Sequence, residues 1–155
     1  MVHADSRVMA PPNLARLAPQ TFRLISRTTT TGWWDFEHGE LWLGTDALLR
    51  RRRGWLQTVA SVGVVQDVLA SATDPLMEQR FASDALNRIL EQGGWWIPAE
   101  AIEAARLRAG LMVGRLWLDL GEDEPAKFLW VKSNLTYETL SETLTRWIGD
   151  RLILD

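Results

Sequence analysis

Along residues 115–120 apolar and polar positions alternate one by one. Leu116, Leu118 and Leu120 fall on one side of an extended chain and Arg115, Trp117 and Asp119 on the other, the pattern of a half-buried strand. Other stretches read as strands too. Residues 22–31 are rich in β-branched side chains. Residues 39–44 and 45–50 form two apolar runs around the turn residues Gly44, Thr45 and Asp46, which predicts a hairpin. Residues 95–98 lead into a strand over 101–108, and residues 126–132 place Phe128 and Trp130 on one face.

Two stretches have a helical period. Asp74-Pro75 is a helix start, with Leu76, Met77, Phe81, Ala85, Ile89 and Leu90 on one face and Gly93-Gly94 as the stop. Before it, residues 55–72 are apolar. Val59, Val62, Val65, Val68 and Leu69 favour a helix there, while Gly63 weakens it. The closing segment 137–148 is amphipathic through Tyr137, Leu140, Leu144, Trp147 and Ile148. Thr136 is a candidate cap, Leu135 a staple and Gly149 the stop.

Strands come first, then a helical segment, then strands, then a helix. That order lacks the strand–helix alternation of a doubly wound parallel sheet and predicts an α+β fold of antiparallel strands joined by short turns. An open end of such a sheet needs a cover, and the last helix is the natural plug. Pro11, Pro12 and Pro19 mark residues 1–20 as an irregular arm. Residues 21–155 then form a single domain, with a helical insertion over about residues 55–92.

Composition narrows the function classes. At 155 residues, 46% hydrophobic and 24% charged, the chain can bury a core without covalent or metal staples. It has no cysteine, so disulfides, thiolate metal sites and cysteine nucleophiles are excluded, and a cytoplasmic location is expected. Its net charge of −3 argues against a nucleic-acid partner. Residues 1–20 contain no apolar core of a secretory signal, and residues 55–72 are too short and too polar for a transmembrane helix. Nine tryptophans against one tyrosine exceed the ordinary need of a core and point to interfaces.

The run Gly39-Glu40-Leu41-Trp42-Leu43-Gly44-Thr45-Asp46-Ala47-Leu48-Leu49 resembles the early hairpin of bacterial pleckstrin-homology-like proteins. Trp96-Ile97-Pro98-Ala99-Glu100-Ala101-Ile102-Glu103 is similar to the way these proteins enter a later strand, and the similarity continues through Arg106-Leu107-Arg108-Ala109-Gly110 to the closing helix. The resemblance implies a PH-like, partly open antiparallel β-barrel capped by a C-terminal helix, with the helical stretch inserted between strands. It also implies binding of a lipid headgroup, a peptide or a protein. The fold hosts many functions, so it fixes none of these.

Candidate chemistry is sparse. The only histidines are His3, in the arm, and His38, beside Asp35 and Glu37. On a strand, residues 35 and 37 share a face that 38 does not, which is poor metal geometry. Glu122-Asp123-Glu124 lacks the ligand spacing of a calcium loop. No catalytic set, metal or cofactor is expected. Arg50, Arg51, Arg52 and Arg53, followed by Trp55, have the composition of an anion clamp beside an interfacial aromatic, although strand alternation divides the four arginines between two faces. Of the tryptophan pairs Trp33-Trp34 and Trp95-Trp96, at most one member of each can face a core.

The expectation is a non-enzymatic binding or assembly domain for a protein partner. That partner includes a second copy of the chain, most simply in a dimer, with Trp33, Trp95, Leu76 and Phe81 as interface residues. The alternative is peripheral binding of anionic lipid headgroups through Arg50 to Arg53 and Trp55.

Overall fold

The computed structural model describes residues 17–31, 39–52, 78–111, 113–131 and 137–155. Two sheets carry the fold. The first contains β1 (Gln20–Thr29), β2 (Gly39–Leu43), β3 (Ala47–Arg52), β4 (Glu78–Phe81) and β5 (Trp95–Pro98), in the order β4-β1-β2-β3-β5. The second contains β6 (Ala104–Ala109), β7 (Val113–Asp119), β8 (Ala126–Val131) and β9 (Leu152–Leu154), in the order β8-β7-β6-β9. Helix α1 (Ser83–Glu91) lies between β4 and β5, and α2 (Tyr137–Ile148) between β8 and β9. Every pairing is antiparallel except that of β6 with β9. The fold is therefore mixed α+β, with mostly antiparallel sheets and a C-terminal helix, and among the described residues the strands do not close into a barrel.

The predicted hairpin of β2 and β3 forms around Gly44, whose N–H donates to Ala47 O at 2.8 Å. A side chain at Gly44 would meet the Phe22 ring at 2.7 Å, so the turn can sit this close to β1 only without one. Strand β1 shifts register twice against β2, between Leu24 and Ser26 and between Ser26 and Thr29. Such irregularities bend a strand. Beyond them Thr30 pairs with Leu129 of β8 through backbone bonds of 2.9 and 2.8 Å, and this bridge joins the two sheets.

The centre of the first sheet is buried on both faces, which is why β2 reads Gly-Glu-Leu-Trp-Leu rather than alternating, with all five residues buried. Leu41, Leu43, Leu48 and Ile97 face the second sheet. There they pack with Leu107, Leu116, Leu118 and Phe128, and with Leu140, Leu144 and Ile148 of α2. Phe22, Trp42, Leu49 and Trp96 face the other way and pack under Leu86 and Ile89 of α1. Helix α2 spans the predicted residues and stops at Gly149, whose φ of 61° is the left-handed conformation that ends helices. Its far end is held by Arg151, which donates to Ala99 O and Ile102 O at 2.8 and 2.7 Å.

Three expectations need correction. The helix predicted from Pro75 begins at Ser83, and residues 78–81 are an edge strand on β1, with Gln20 opposite Phe81. Apolar spacing across Phe81 and Ala85 fits a helix, but Phe81 is buried by strand pairing instead, where it meets the rings of Phe22 and Trp42 edge-on at 5.7 and 5.2 Å. Trp147 is only half-buried; its indole N–H donates to Thr45 O at 3.0 Å at the rim of the core. The parallel strand β9 was not foreseen, because three residues carry too little pattern to read. Residues 1–16 of the arm, residues 53–77 of the insertion and the cap Thr136 lie outside the described residues. Among the described residues no helix is long and apolar enough to cross a membrane.

Candidate functional site

The alternation in β6 and β7 decides what the second sheet presents outward. Ala105, Leu107, Leu116 and Leu118 are buried inward, while Arg106, Arg108, Arg115, Trp117 and Asp119 are exposed on the other face. Register then sets these residues side by side. Arg106 lies opposite Trp117, and Trp117 lies opposite Lys127 of β8. Ile153 of β9 lies beside Arg106, so Ile153, Arg106, Trp117 and Lys127 form one row across all four strands. Arg108 and Arg115 are paired in the next row toward the β6–β7 turn. Leu111 stands at the tip of that turn, 98% exposed. Lys127 Nζ lies 4.7 Å from the centroid of the Trp117 ring, a cation–π contact.

Among the described residues the large apolar side chains left exposed are Leu111, Trp117, Ile153 and Leu154, and all belong to this sheet or its turn. Arg106, Arg108, Arg115 and Lys127 lie among them and are all exposed. A solvated sheet face is expected to be polar, but a face of four cations around an indole is not the average of a chain with net charge −3. The acidic side chains collect instead near the opposite end of the sheet, with Asp119, Glu122, Asp123 and Glu124 exposed in and beside the β7–β8 turn.

Beside Trp117 the face opens into a recess of about 170 Å³ between β5 and the β7–β8 turn, lined by Trp95, Trp117, Leu120, Glu124, Pro125 and Lys127 among others. Small-molecule sites run about 300–1,000 Å³. The recess is therefore the size of one side chain and too small for a cofactor. At its floor Trp95 contacts the Arg50 guanidinium, 4.8 Å from its ring centroid, and Phe128, with ring centroids 5.9 Å apart.

The residues singled out from sequence are scattered. Arg50 is 3% exposed and faces the core over Trp95. Arg51 is on the opposite face, exposed, and lies 3.8 Å from Glu40 Oε2. Arg52 is exposed at the strand end. Alternation thus divides the run, and Arg50 is a packing residue. Phe81 is buried in the chain's own core at 4% exposure, and Trp95 is half-buried at the recess. Arg53, Trp55, Trp33 and Leu76 lie outside the described residues, as do His3, Asp35, Glu37 and His38. Among the described residues no group of three or more histidines, aspartates or glutamates is placed to hold a metal ion.

The outward face escaped sequence reading because its members come from three strands and only register assembles them. The available signal was that three of the outward positions of 104–117, Arg106, Arg108 and Arg115, are arginine where acidic residues would serve solubility equally well. Comparison with known proteins returns no match to a protein family, a curated protein or a solved structure.

Proposed function

We propose that this chain is a non-enzymatic binding domain that docks a protein partner on the outer face of its second sheet. The observation that carries this reading is the coincidence of the exposed large apolar side chains with Arg106, Arg108, Arg115 and Lys127. Tryptophan and arginine are among the residues most enriched at the energetic centres of protein interfaces, and Trp117 has Arg106 opposite it and Arg115 two residues away on the same face. The architecture is compatible with the pleckstrin-homology-like resemblance. A four-stranded antiparallel meander (β1, β2, β3, β5), a three-stranded one (β6, β7, β8) and a helix at the open end follow in that order, with β4 and α1 inserted after β3.

The charge of the face defines an acidic partner. Poly-L-glutamate is a suitable first probe, since a chain of net charge −3 has no overall attraction for it. Serine at Arg106, Arg108, Arg115 and Lys127 should abolish retention, and serine at Arg23, Arg51 and Arg52 should leave it unchanged. Equal loss in both sets would mean that no particular face is used.

A second reading, docking on an anionic lipid surface, draws support from Leu111, exposed in the turn beyond the paired Arg108 and Arg115. Strand rise sets a limit on it. Trp117 is four residues into β7, about 13 Å along the strand from Val113, with Leu111 in the turn before it. The headgroup layer is only about 5–8 Å deep on each side of a bilayer. A tip inserted at Leu111 would leave Trp117, and Ile153 in the same row, unused. A partner lying along the face uses them all.

A further inference from the structure

We infer that the partner segment is extended and acidic and carries one apolar residue, such as leucine, that seats in the recess beside Trp117. This rests on the reading of the outer face as a protein-docking surface and names the chemistry of what docks there. The row Lys127–Trp117–Arg106–Ile153 crosses three strand spacings, about 14 Å, which is the length of four or five extended residues. A segment laid along it meets two cations separated by the indole, then Ile153. The recess opens at the Lys127 end of this row, because Trp117 and Lys127 line both.

Size and charge choose the anchor. At about 170 Å³ the recess has room for a single apolar side chain. Trp95, Trp117, Leu120 and Pro125 give it apolar walls, while Glu124 at its lining opposes a carboxylate there. The partner's carboxylates are thereby directed to Lys127, Arg106 and Arg115 along the face, and its apolar group to the recess. Charge sets approach and orientation, whereas the anchor sets residence, as is usual where a desolvated contact is ringed by exposed ion pairs.

The test uses the full chain and two labelled peptides, read by fluorescence anisotropy. One is a short peptide of aspartate and glutamate with a central leucine; the other has serine in place of that leucine. The leucine peptide should bind saturably and the serine peptide at least about tenfold more weakly, the affinity equivalent of burying one aliphatic side chain. Trp117→Ser should reduce the difference between the two peptides to near nothing. Arg106→Ser with Arg115→Ser should weaken both peptides alike, and Arg51→Ser neither. Raising salt from about 0.05 M to about 0.5 M should weaken both by the same factor, because screening acts on the charges and not on the anchor. Urea unfolding of Trp117→Ser checks that the variant is folded, and the peptide pair tests the anchor without altering the chain at all.

Equal binding of the two peptides overturns the anchor while leaving an acidic partner in place. Tighter binding to phosphatidylserine vesicles or to a single-stranded oligonucleotide than to the leucine peptide, lost in Trp117→Ser, overturns the peptide partner. Failure of both peptides and of poly-L-glutamate overturns the docking face itself.

Discussion

Phe81 is where an interface and a core make opposite predictions. Its ring is 4% exposed, lies edge-on to Phe22 and Trp42 at centroid distances of 5.7 and 5.2 Å, and sits on β4 opposite Gln20. Truncation to alanine removes most of a buried aromatic side chain and both ring contacts. Buried phenylalanine-to-alanine changes cost about 3–5 kcal/mol, of which each aromatic pair supplies about 0.5–1.5 kcal/mol. Because β4 is an edge strand, the neighbours can partly collapse into the gap, so the lower half of that range, about 3–4 kcal/mol, is expected. Phe81→Leu keeps most of the volume and loses the ring contacts, for an expected cost of about 1–2 kcal/mol. Urea unfolding followed by tryptophan fluorescence gives both numbers, since Trp42 is part of the same cluster. Light scattering at several concentrations accompanies it. A loss under about 1 kcal/mol in Phe81→Ala, together with a fall in molar mass to the 17.6 kDa of one chain, would refute the core assignment and make Phe81 an interface residue.

Two further stability differences follow from burial on α2 and from Glu40. Leu144 is fully buried between α2 and the sheets, so Leu144→Ala should cost about 2–5 kcal/mol in urea, against about 1–2 kcal/mol for the half-buried Trp147→Ala; a larger loss at Trp147 would show that the helix packs differently. Glu40 is buried and accepts the Trp42 indole N–H at 3.1 Å, so Glu40→Ala should cost about 1–3 kcal/mol, whereas Arg51→Ala, which removes an exposed arginine at a long 3.8 Å ion-pair distance, should stay under about 1 kcal/mol. Equal costs would mean that the ion pair, not the indole bond, is what Glu40 contributes.

Legibility from sequence tracked how many residues carried the signal. The seven-residue strand β7, the turn at Gly44 and the twelve-residue α2 each repeat one period or carry specific turn chemistry, and each was read correctly. The segment 76–90 misled because strand β4 and helix α1 abut. Phe81 serves the sheet and Ala85 and Ile89 the helix, yet their spacing of four residues imitates one continuous helical face. What separates them is the pairing of 78–81 with β1, a contact across more than fifty residues that no local window contains. The three-residue β9 is legible only from its partner β6 for the same reason.

The site obeys the same logic with the opposite outcome. Arg50-Arg51-Arg52-Arg53 attracts attention because its charges are adjacent in sequence, and adjacency on a strand is what separates side chains in space. Arg50 accordingly lies under the sheet on Trp95, while Arg51 lies over it beside Glu40. Arg106, Arg115 and Lys127 are dispersed along the chain, and dispersion at even spacing on paired strands is what brings charges together. In a β-rich chain, a charged surface is thus better sought among outward positions two apart on neighbouring strands than in runs. Here that rule leads from Arg106 to Trp117 to Lys127 and to the recess beside them, whose walls come from both sheets. A surface assembled by register also depends on register: a one-residue slip of β6 against β7 would turn Arg106 and Arg108 into the core and Leu107 out to solvent. Burial of Leu107, Leu116 and Leu118 therefore does two things at once, stabilising the sheet and fixing which side chains its outer face can offer a partner.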